Sequence, residues 1–274
     1  MILINEKDNI PLKQFLKDII TEAGNIALEY RKKVHTLSVD QKQSKELVCE
    51  ADYAIDQFLI AEIKKRYPEH AILTEESGEI HGSEFRWVID PIDGTTTFLH
   101  EMPFFSISIA TEKAGQTILA AVNAPVLDEL FEAEKNHGAY LNGIPIKVSP
   151  RSKLGESVLC TGFACLRAGW KHNNLAYVNR LLPELQDMHR HGSAALDLCY
   201  VACGRLEGFW ELHLNHYDVA AGFLILTEAG GRITDFTGGT RGFYDEILST
   251  NGLIHDDIIR IFAQVKAKTL TDHP

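Results

Sequence analysis

No apolar run in the chain reaches the roughly 18 residues that a bilayer-crossing helix needs, so a membrane-spanning protein is not expected. Cysteine is sparse, with five residues at positions 49, 160, 165, 199 and 203. They form no CxxC pair and no even framework, which excludes a disulfide scaffold and fits free thiols in a reducing cytoplasm. Cys199 and Cys203 lie four apart on a predicted helix with no histidine at metal spacing, so no zinc site is expected there. Positive charge is the scarce sign: 27 Lys and Arg stand against 38 Asp and Glu, a net charge of −11. Such a field disfavours direct binding to nucleic acid and to anionic membranes. It also means that an anionic substrate would need a local source of positive charge. There is no internal repeat and no low-complexity linker. The opening segment MILINEKDNIPLK lacks the basic, then apolar, then small order of a signal peptide.

What is present is an ordinary globular composition, 45% hydrophobic and 24% charged over 274 residues. Leu12, Phe15, Leu16, Ile19, Ile20, Ala23, Ile26, Ala27 and Tyr30 recur at helical spacing and predict an amphipathic helix capped by Asp8 or Asn9. A polar loop follows from Lys33 to Lys45, then a second helix from Ala51 to Arg66 that Pro68 ends. The period then changes to two. Strands are expected at Ala71–Leu73, Phe85–Asp90, Phe105–Ile109, Thr117–Ala124 and Glu129–Ala133, with Asn142-Gly143 as a hairpin turn. The second half alternates: strands at Val158–Thr161, Phe209–Leu212 and Arg232–Thr234, and helices at Leu175–Leu182, Ala194–Ala202, Val219–Ala229 and Ile258–Lys266. The expected class is mixed α and β in packed layers. Residues 1–150 form an α+β half and residues 151–274 an α/β half of one compact unit.

The chemistry concentrates in Trp87-Val-Ile-Asp90-Pro-Ile-Asp93-Gly94-Thr95-Thr96-Thr97. An apolar strand delivers Asp90, and a turn containing Pro91 and Gly94 lets Asp93 point at the same place. Two carboxylates ~4 Å apart repel by about 4 kcal/mol at an effective dielectric near 20. Hard cations such as Mg²⁺, Mn²⁺ or Ca²⁺ would relieve that repulsion. A surface turn with both aspartates capping the backbone is the plainer alternative. Glu75-Glu76 after another apolar strand, and Asp218 opening a helix, add acidic groups. Gly94-Thr95-Thr96 offers backbone N–H groups to an anion, and the Thr95 hydroxyl can relay a proton. An anion cradle beside an acidic metal site is what phosphoryl transfer requires.

These residues resemble the inositol monophosphatase family of magnesium-dependent, lithium-sensitive phosphatases. Asp90-Pro91-Ile92-Asp93-Gly94-Thr95-Thr96 is similar to its first signature, with Glu75-Glu76-Ser77 before it. Tyr217-Asp218-Val219-Ala220-Ala221-Gly222 through Thr227-Glu228-Ala229-Gly230-Gly231 is similar to its second. Glu46-Leu-Val-Cys49-Glu50-Ala51-Asp52 resembles the segment before its second helix. The resemblance runs from about residue 10 to 265. It implies a layered α–β–α–β–α sandwich, a cytoplasmic homodimer, two or three Mg²⁺ ions, and Li⁺ as inhibitor. Glu75, Asp90 and the Ile92 carbonyl would hold the first ion, and Asp90, Asp93 and Asp218 the second. A third, weaker ion would be reached through Glu75. The four carboxylates carry −4, which two Mg²⁺ neutralise. Glu75 and Thr95 would orient the attacking water, with Glu46 assisting the relay. Asp93, Gly94, Thr95, Gly192, Ser193, Ala194, Glu211 and Asp218 would bind substrate, Glu211 at its hydroxyls.

Four positions depart from the family: Glu46 for Asp, Cys49 for Thr, Thr97 for Asn and Tyr217 for Trp. Ser193 also reads as a helix cap. His189 and His191 form an HxH pair with no third ligand nearby in sequence. Lys42 and Lys45 read as solvated loop charges. The implied reaction is hydrolysis of myo-inositol 1-phosphate. A sugar bisphosphate, a 3′-phosphoadenosine nucleotide and histidinol phosphate are the alternative substrates. A bacterial relative joins a transcription antitermination complex, so a regulatory partner protein is the alternative from another class.

Overall fold

A computed structural model describes residues 6–41, 47–240 and 245–271. Helix α1 (Glu6–Arg31) leads to a short antiparallel pair, β1 (Val39–Gln41) with β2 (Leu47–Cys49), and then to α2 (Glu50–Arg66). Strands β3 (Ala71–Thr74), β4 (Gly78–Ile80) and β5 (Phe85–Asp93) follow, then the one-turn helix α3 (Thr95–Leu99). Next come β6 (Ser106–Lys113), β7 (Gln116–Ala124), β8 (Glu129–Glu134), β9 (Gly138–Leu141) and β10 (Ile144–Pro145). The second half runs β11 (Val158–Thr161), α4 (Ala164–Arg167), α5 (Leu175–Leu181), β12 (Asp187–His189), α6 (Ala194–Ala202) and β13 (Gly208–Leu212). It ends with α7 (His216–Glu228), β14 (Arg232–Thr234), β15 (Glu246–Thr250) and α8 (His255–Thr271).

The strands make an eight-stranded sheet ordered β10-β9-β8-β7-β6-β5-β3-β4 and a five-stranded sheet ordered β12-β11-β13-β15-β14. Alternation along β5 sorts the layers. Trp87 and Ile89 join Ile107, Ile109 and Ala121 against α1 and α2. Val88 faces the other way, with Ala110, Ala120 and Val122, onto α6 and α7. Those two helices also cover Phe209 and Ile247 of the second sheet. Its outer face, with Leu159, Trp210 and Leu248, packs on Tyr177 and Leu181 of α5 and on Ile258 and Phe262 of α8. The result is the α–β–α–β–α sandwich that the motifs implied. Because both faces of β5 are covered, residues 87–92 are all buried. Each large apolar side chain buried this way contributes roughly 1.5–3 kcal/mol.

Several element boundaries move. Helix α1 runs through Asp8 and Asn9, so neither is its cap. The polar segment after it contains β1, and β4, β12 and β15 are further strands that the periodicity does not mark. Helix α7 starts at His216 with Asn215 as N-cap, which puts Asp218 inside the first turn.

Candidate active site

The carboxylates meet where β5 leaves its sheet. Strand β5 pairs antiparallel with β6 as far as Asp90 and Ser108; the register then shifts, and Asp93 resumes opposite Ser106. Strand β3 runs parallel on the other side of β5, with Thr74 beside Ile89. The next amide, Glu75 N–H, donates to Ile89 O at 3.2 Å, which sets Glu75 next to Asp90. Asp218 arrives from the first turn of α7, where its Oδ2 accepts from the Asn215 N–H at 2.6 Å. Glu75, Asp90, Asp93 and Asp218, with Ile92, line one cleft of about 140 Å³.

Asp90 is the electrostatic centre of this cleft. It is 2% exposed, and its Oδ1 has no hydrogen-bond partner among the described residues. Burial raises its carboxyl well above the usual range, and the charges of Glu75, Asp93, Asp218 and Asp52 raise it further. Burial also lifts Asp93 to about 7, opposed by the hydrogen bonds from Ser193 and the backbone beside it. A buried, unsatisfied oxygen among converging carboxylates is unfavourable unless a cation compensates it. The all-oxygen donor set fits a hard divalent ion.

The Thr95 hydroxyl lies 3.1 Å from Asp52 Oδ1 and 3.2 Å from Ile92 O. Asp52 is thus the carboxylate that the structure brings to Thr95. In the segment Glu46–Asp52 the family resemblance assigns the relay to Glu46, and Asp52 is only its last residue. Glu46 lies outside the described residues, as do Lys42 and Lys45. Asp52 is also the third residue of α2, where Oδ2 accepts from the Cys49 N–H at 2.9 Å in a capping box. Burial raises its carboxyl to about 6. Gly94 holds φ +99°, and a Cβ there would come within 2.8 Å of Thr97 Oγ1 and 3.0 Å of Gly192 O, so only glycine fits the turn.

Gly192, Ser193, Ala194 and Glu211 line the same cleft. Ser193 is the N-cap of α6, accepting from the Leu196 N–H. Its hydroxyl donates to Asp93 Oδ2 at 2.7 Å, and the Ala195 N–H donates to the same oxygen at 2.7 Å. Ser193 is 1% exposed, so it holds Asp93 from behind. Glu211 sits on β13, next to Trp210, whose strand partner Thr161 ends β11. The residue after Thr161 is Gly162, and a Cβ on it would fall on the Glu211 carboxylate. Glu211 is 4% exposed, and its carboxyl is raised to about 8, chiefly by burial. His191 finds the neighbours that the sequence does not show. Its Nδ1 bonds Asp197 Oδ1 at 2.6 Å, and Cys160 completes a compact trio with them. Arg167 and Arg190 also line the cleft; neither carries a motif signal.

This sandwich with a carboxylate cleft between its sheets defines a class that comparison identifies. Residues 8–267 match the inositol monophosphatase family model. The Nus factor SuhB of Escherichia coli strain K12 is 42% identical over 220 residues, covering 80% of this chain and 82% of that relative. An inositol-1-monophosphatase of Mesorhizobium japonicum is 41% identical over 208 residues, covering 75% of this chain and 78% of that protein. The crystal structure of the extragenic suppressor protein suhB from Bartonella henselae superposes with a TM-score of 0.88 at 37% identity, covering 92% of this chain and 98% of that one. The chain belongs to the inositol monophosphatase family.

Proposed function

We propose that this chain is a Mg²⁺-dependent phosphomonoester hydrolase whose leaving group is a polyol, with myo-inositol 1-phosphate as the first substrate to test. The observation that carries the reading is the buried, unpartnered Asp90 oxygen among Glu75, Asp93 and Asp218. Those four carboxylates and the Ile92 carbonyl would hold two or three Mg²⁺. The ions would supply Lewis acidity and the positive potential that a −11 chain lacks. Glu75 would orient the attacking water. The Thr95 hydroxyl, already bonded to Asp52, would take its proton and pass it to that carboxylate. Backbone N–H groups at Gly94 and Thr95 would face the phosphate oxygens. Asp93 and Asp218 would flank the leaving oxygen, while Glu211 and the Gly192–Ala194 loop would contact the polyol hydroxyls.

The chain would act as a cytoplasmic homodimer, inhibited by Li⁺. All five cysteines are free, which supports a reducing compartment. Among the described residues, no helix is long and apolar enough to cross a membrane. The acidic balance disfavours direct nucleic-acid contact.

The test is phosphate release with Mg²⁺ or EDTA. The substrates are myo-inositol 1-phosphate, fructose 1,6-bisphosphate, 3′-phosphoadenosine 5′-phosphate and histidinol phosphate. Turnover that EDTA abolishes supports the reading; no release from any ester refutes it. The Escherichia coli relative's name, Nus factor, favours a second reading as a transcription-complex partner. Co-purification with RNA polymerase by a chain that hydrolyses none of these esters would support that one.

A further inference from the structure

The cleft carboxylates do not all come from one sheet. Asp90 and Asp93 stand on β5 and Glu75 one residue past β3, all carried by the eight-stranded sheet. Asp218 arrives separately, in the first turn of α7, which follows β13 of the five-stranded sheet after a short turn. Burial and the charges of Glu75, Asp93 and Asp218 all oppose ionisation of Asp90, so the approach of Asp218 is itself unfavourable. The bond from the Asn215 N–H to Asp218 Oδ2 lies within the helix terminus. It shapes that turn without tying it to the sheet opposite.

A buried polar chain supplies a tie. Arg86 and Glu112 are directly opposite each other on β5 and β6. Arg86 Nε and Nη2 lie 2.8 and 2.7 Å from Glu112 Oε2. The other oxygen, Oε1, lies 2.6 Å from Nε2 of His216, the first residue of α7. The Glu112 side chain is 3% exposed. Burial works against its charge, but the hydrogen bonds from His216 and Arg86 outweigh burial and hold its carboxyl below the ordinary value. An ionised carboxylate only accepts, so His216 is the donor that the helix sends to the sheet.

The geometry links this tie to Asp90. Arg86, Val88 and Asp90 alternate onto one face of β5, the face on which Val88 packs against α6 and α7. His216 and Asp218 are two residues apart on the helix, which turns them about 200° from each other. One side chain therefore reaches Glu112 while the other enters the cleft.

We propose that Glu112, held by Arg86, positions Asp218 through His216, so that the affinity of the cleft for its divalent ion depends on three residues outside the cleft lining. The inference rests on the reading of the cleft as a Mg²⁺ site. Partners that orient metal ligands are worth about 10- to 100-fold in metal affinity. Glu207 and Arg151 make a comparable pair at 2.9 Å, also outside the cleft lining, and serve as the control.

Isothermal titration with Mg²⁺ alone gives Kd for the full chain and for His216→Ala, His216→Gln, Glu112→Gln and Arg151→Gln. Thermal unfolding in EDTA gives the stability of each. His216→Ala and Glu112→Gln should weaken Mg²⁺ binding by about tenfold or more. His216→Gln keeps an N–H donor at similar reach and should recover most of that loss. Arg151→Gln should lower Tm without moving Kd. If Kd in His216→Ala stays within about twofold of the parent, the positioning role is overturned and the metal site stands. Equal weakening in Arg151→Gln overturns it as well, because general loss of stability would then explain the effect. A parent chain that binds no Mg²⁺ overturns the metal reading and this inference with it.

Discussion

Gly162→Ala is a small change that the structure makes consequential. The added methyl would occupy the place of Glu211 Oε2 and would also meet Oε1 at 3.3 Å. The carboxylate must then move by on the order of 1 Å or more, and displacement of that size near a reacting substrate can cost about 10²-fold. Gly162 has no positive φ, so the cost is one of space and not of backbone conformation. We expect kcat/KM for myo-inositol 1-phosphate to fall 10- to 100-fold, and turnover of a hydroxyl-poor ester to fall less. Overpacking of this kind destabilises by about 1–3 kcal/mol. For a chain of this size, that lowers Tm by roughly 2–4 °C per kcal/mol. A double-mutant cycle isolates the mechanism. Glu211→Ala removes the colliding group, so adding Gly162→Ala to it should cost almost nothing more in kcat/KM. If the two losses multiply instead, Gly162 acts through something other than Glu211 and the steric argument fails.

Three further outcomes follow from the geometry. Asp90→Asn should lower kcat more than 10³-fold, about 4 kcal/mol of barrier, and should abolish the rise in Tm that Mg²⁺ gives the parent chain; a variant within tenfold of the parent would refute the metal assignment. Thr95→Val leaves Asp52 without its hydroxyl partner and should cost 10²- to 10⁴-fold in kcat, while Thr95→Ser stays within about tenfold; equal losses in both would mean that the threonine methyl, and not its hydroxyl, matters. His255 is fully buried between the Thr234 and Thr250 hydroxyls, each at 2.8 Å, and burial lowers its pKa from 6.5 to about 4. Above pH 6.5 both folded and unfolded chains carry it neutral. Below that, only the unfolded chain takes the proton, so stability is lost down to pH 4, by up to about 3 kcal/mol at 1.4 kcal/mol per pH unit. The drop in Tm from pH 7 to 5 should therefore shrink in His255→Gln; an unchanged drop would locate the acid sensitivity elsewhere.

Periodicity located elements whose burial is one-sided or that end on strong punctuation. Helix α6 matches its expected range, Ala194–Ala202, because Gly204 stops it and Ser193 caps it. Strand β11 likewise matches at Val158–Thr161. Strand β15, Glu246–Thr250, escaped because its sequence, EILST, neither alternates cleanly nor carries a turn signal, and it is held by β13 and β14 on its two sides. The metal-site carboxylates were legible because their motifs place them at strand ends and a helix start. Asp218, expected to open its helix, lies within the first turn instead, and its oxygen satisfies an orphan N–H from three residues inside, at Asn215. Asp52 was hidden in the same way, since an acidic residue in the first turn of a helix looks like a capping device and nothing more. Gly162 could not be read at all. Its function is a space, defined by a side chain 49 residues away.

The same distinction explains why the acidic balance of the chain and an anionic substrate are compatible. Where this fold can pair a buried acid, it does so. Glu207, essentially buried, holds Arg151 at 2.9 Å and the Val158 N–H at 2.7 Å. Glu112, also buried, takes Arg86 at 2.7 Å and His216 at 2.6 Å. Asp90 has the burial of these residues without their partners, and each charge that acts on it is negative. Leaving a buried carboxylate in that state costs several kcal/mol of stability, far more than an exposed acid would. Folding alone gives no reason to retain it, because asparagine would fill the same volume without the charge. On the proposed reading the missing partner is Mg²⁺, so the charge that destabilises the metal-free fold is the charge that binds the ion.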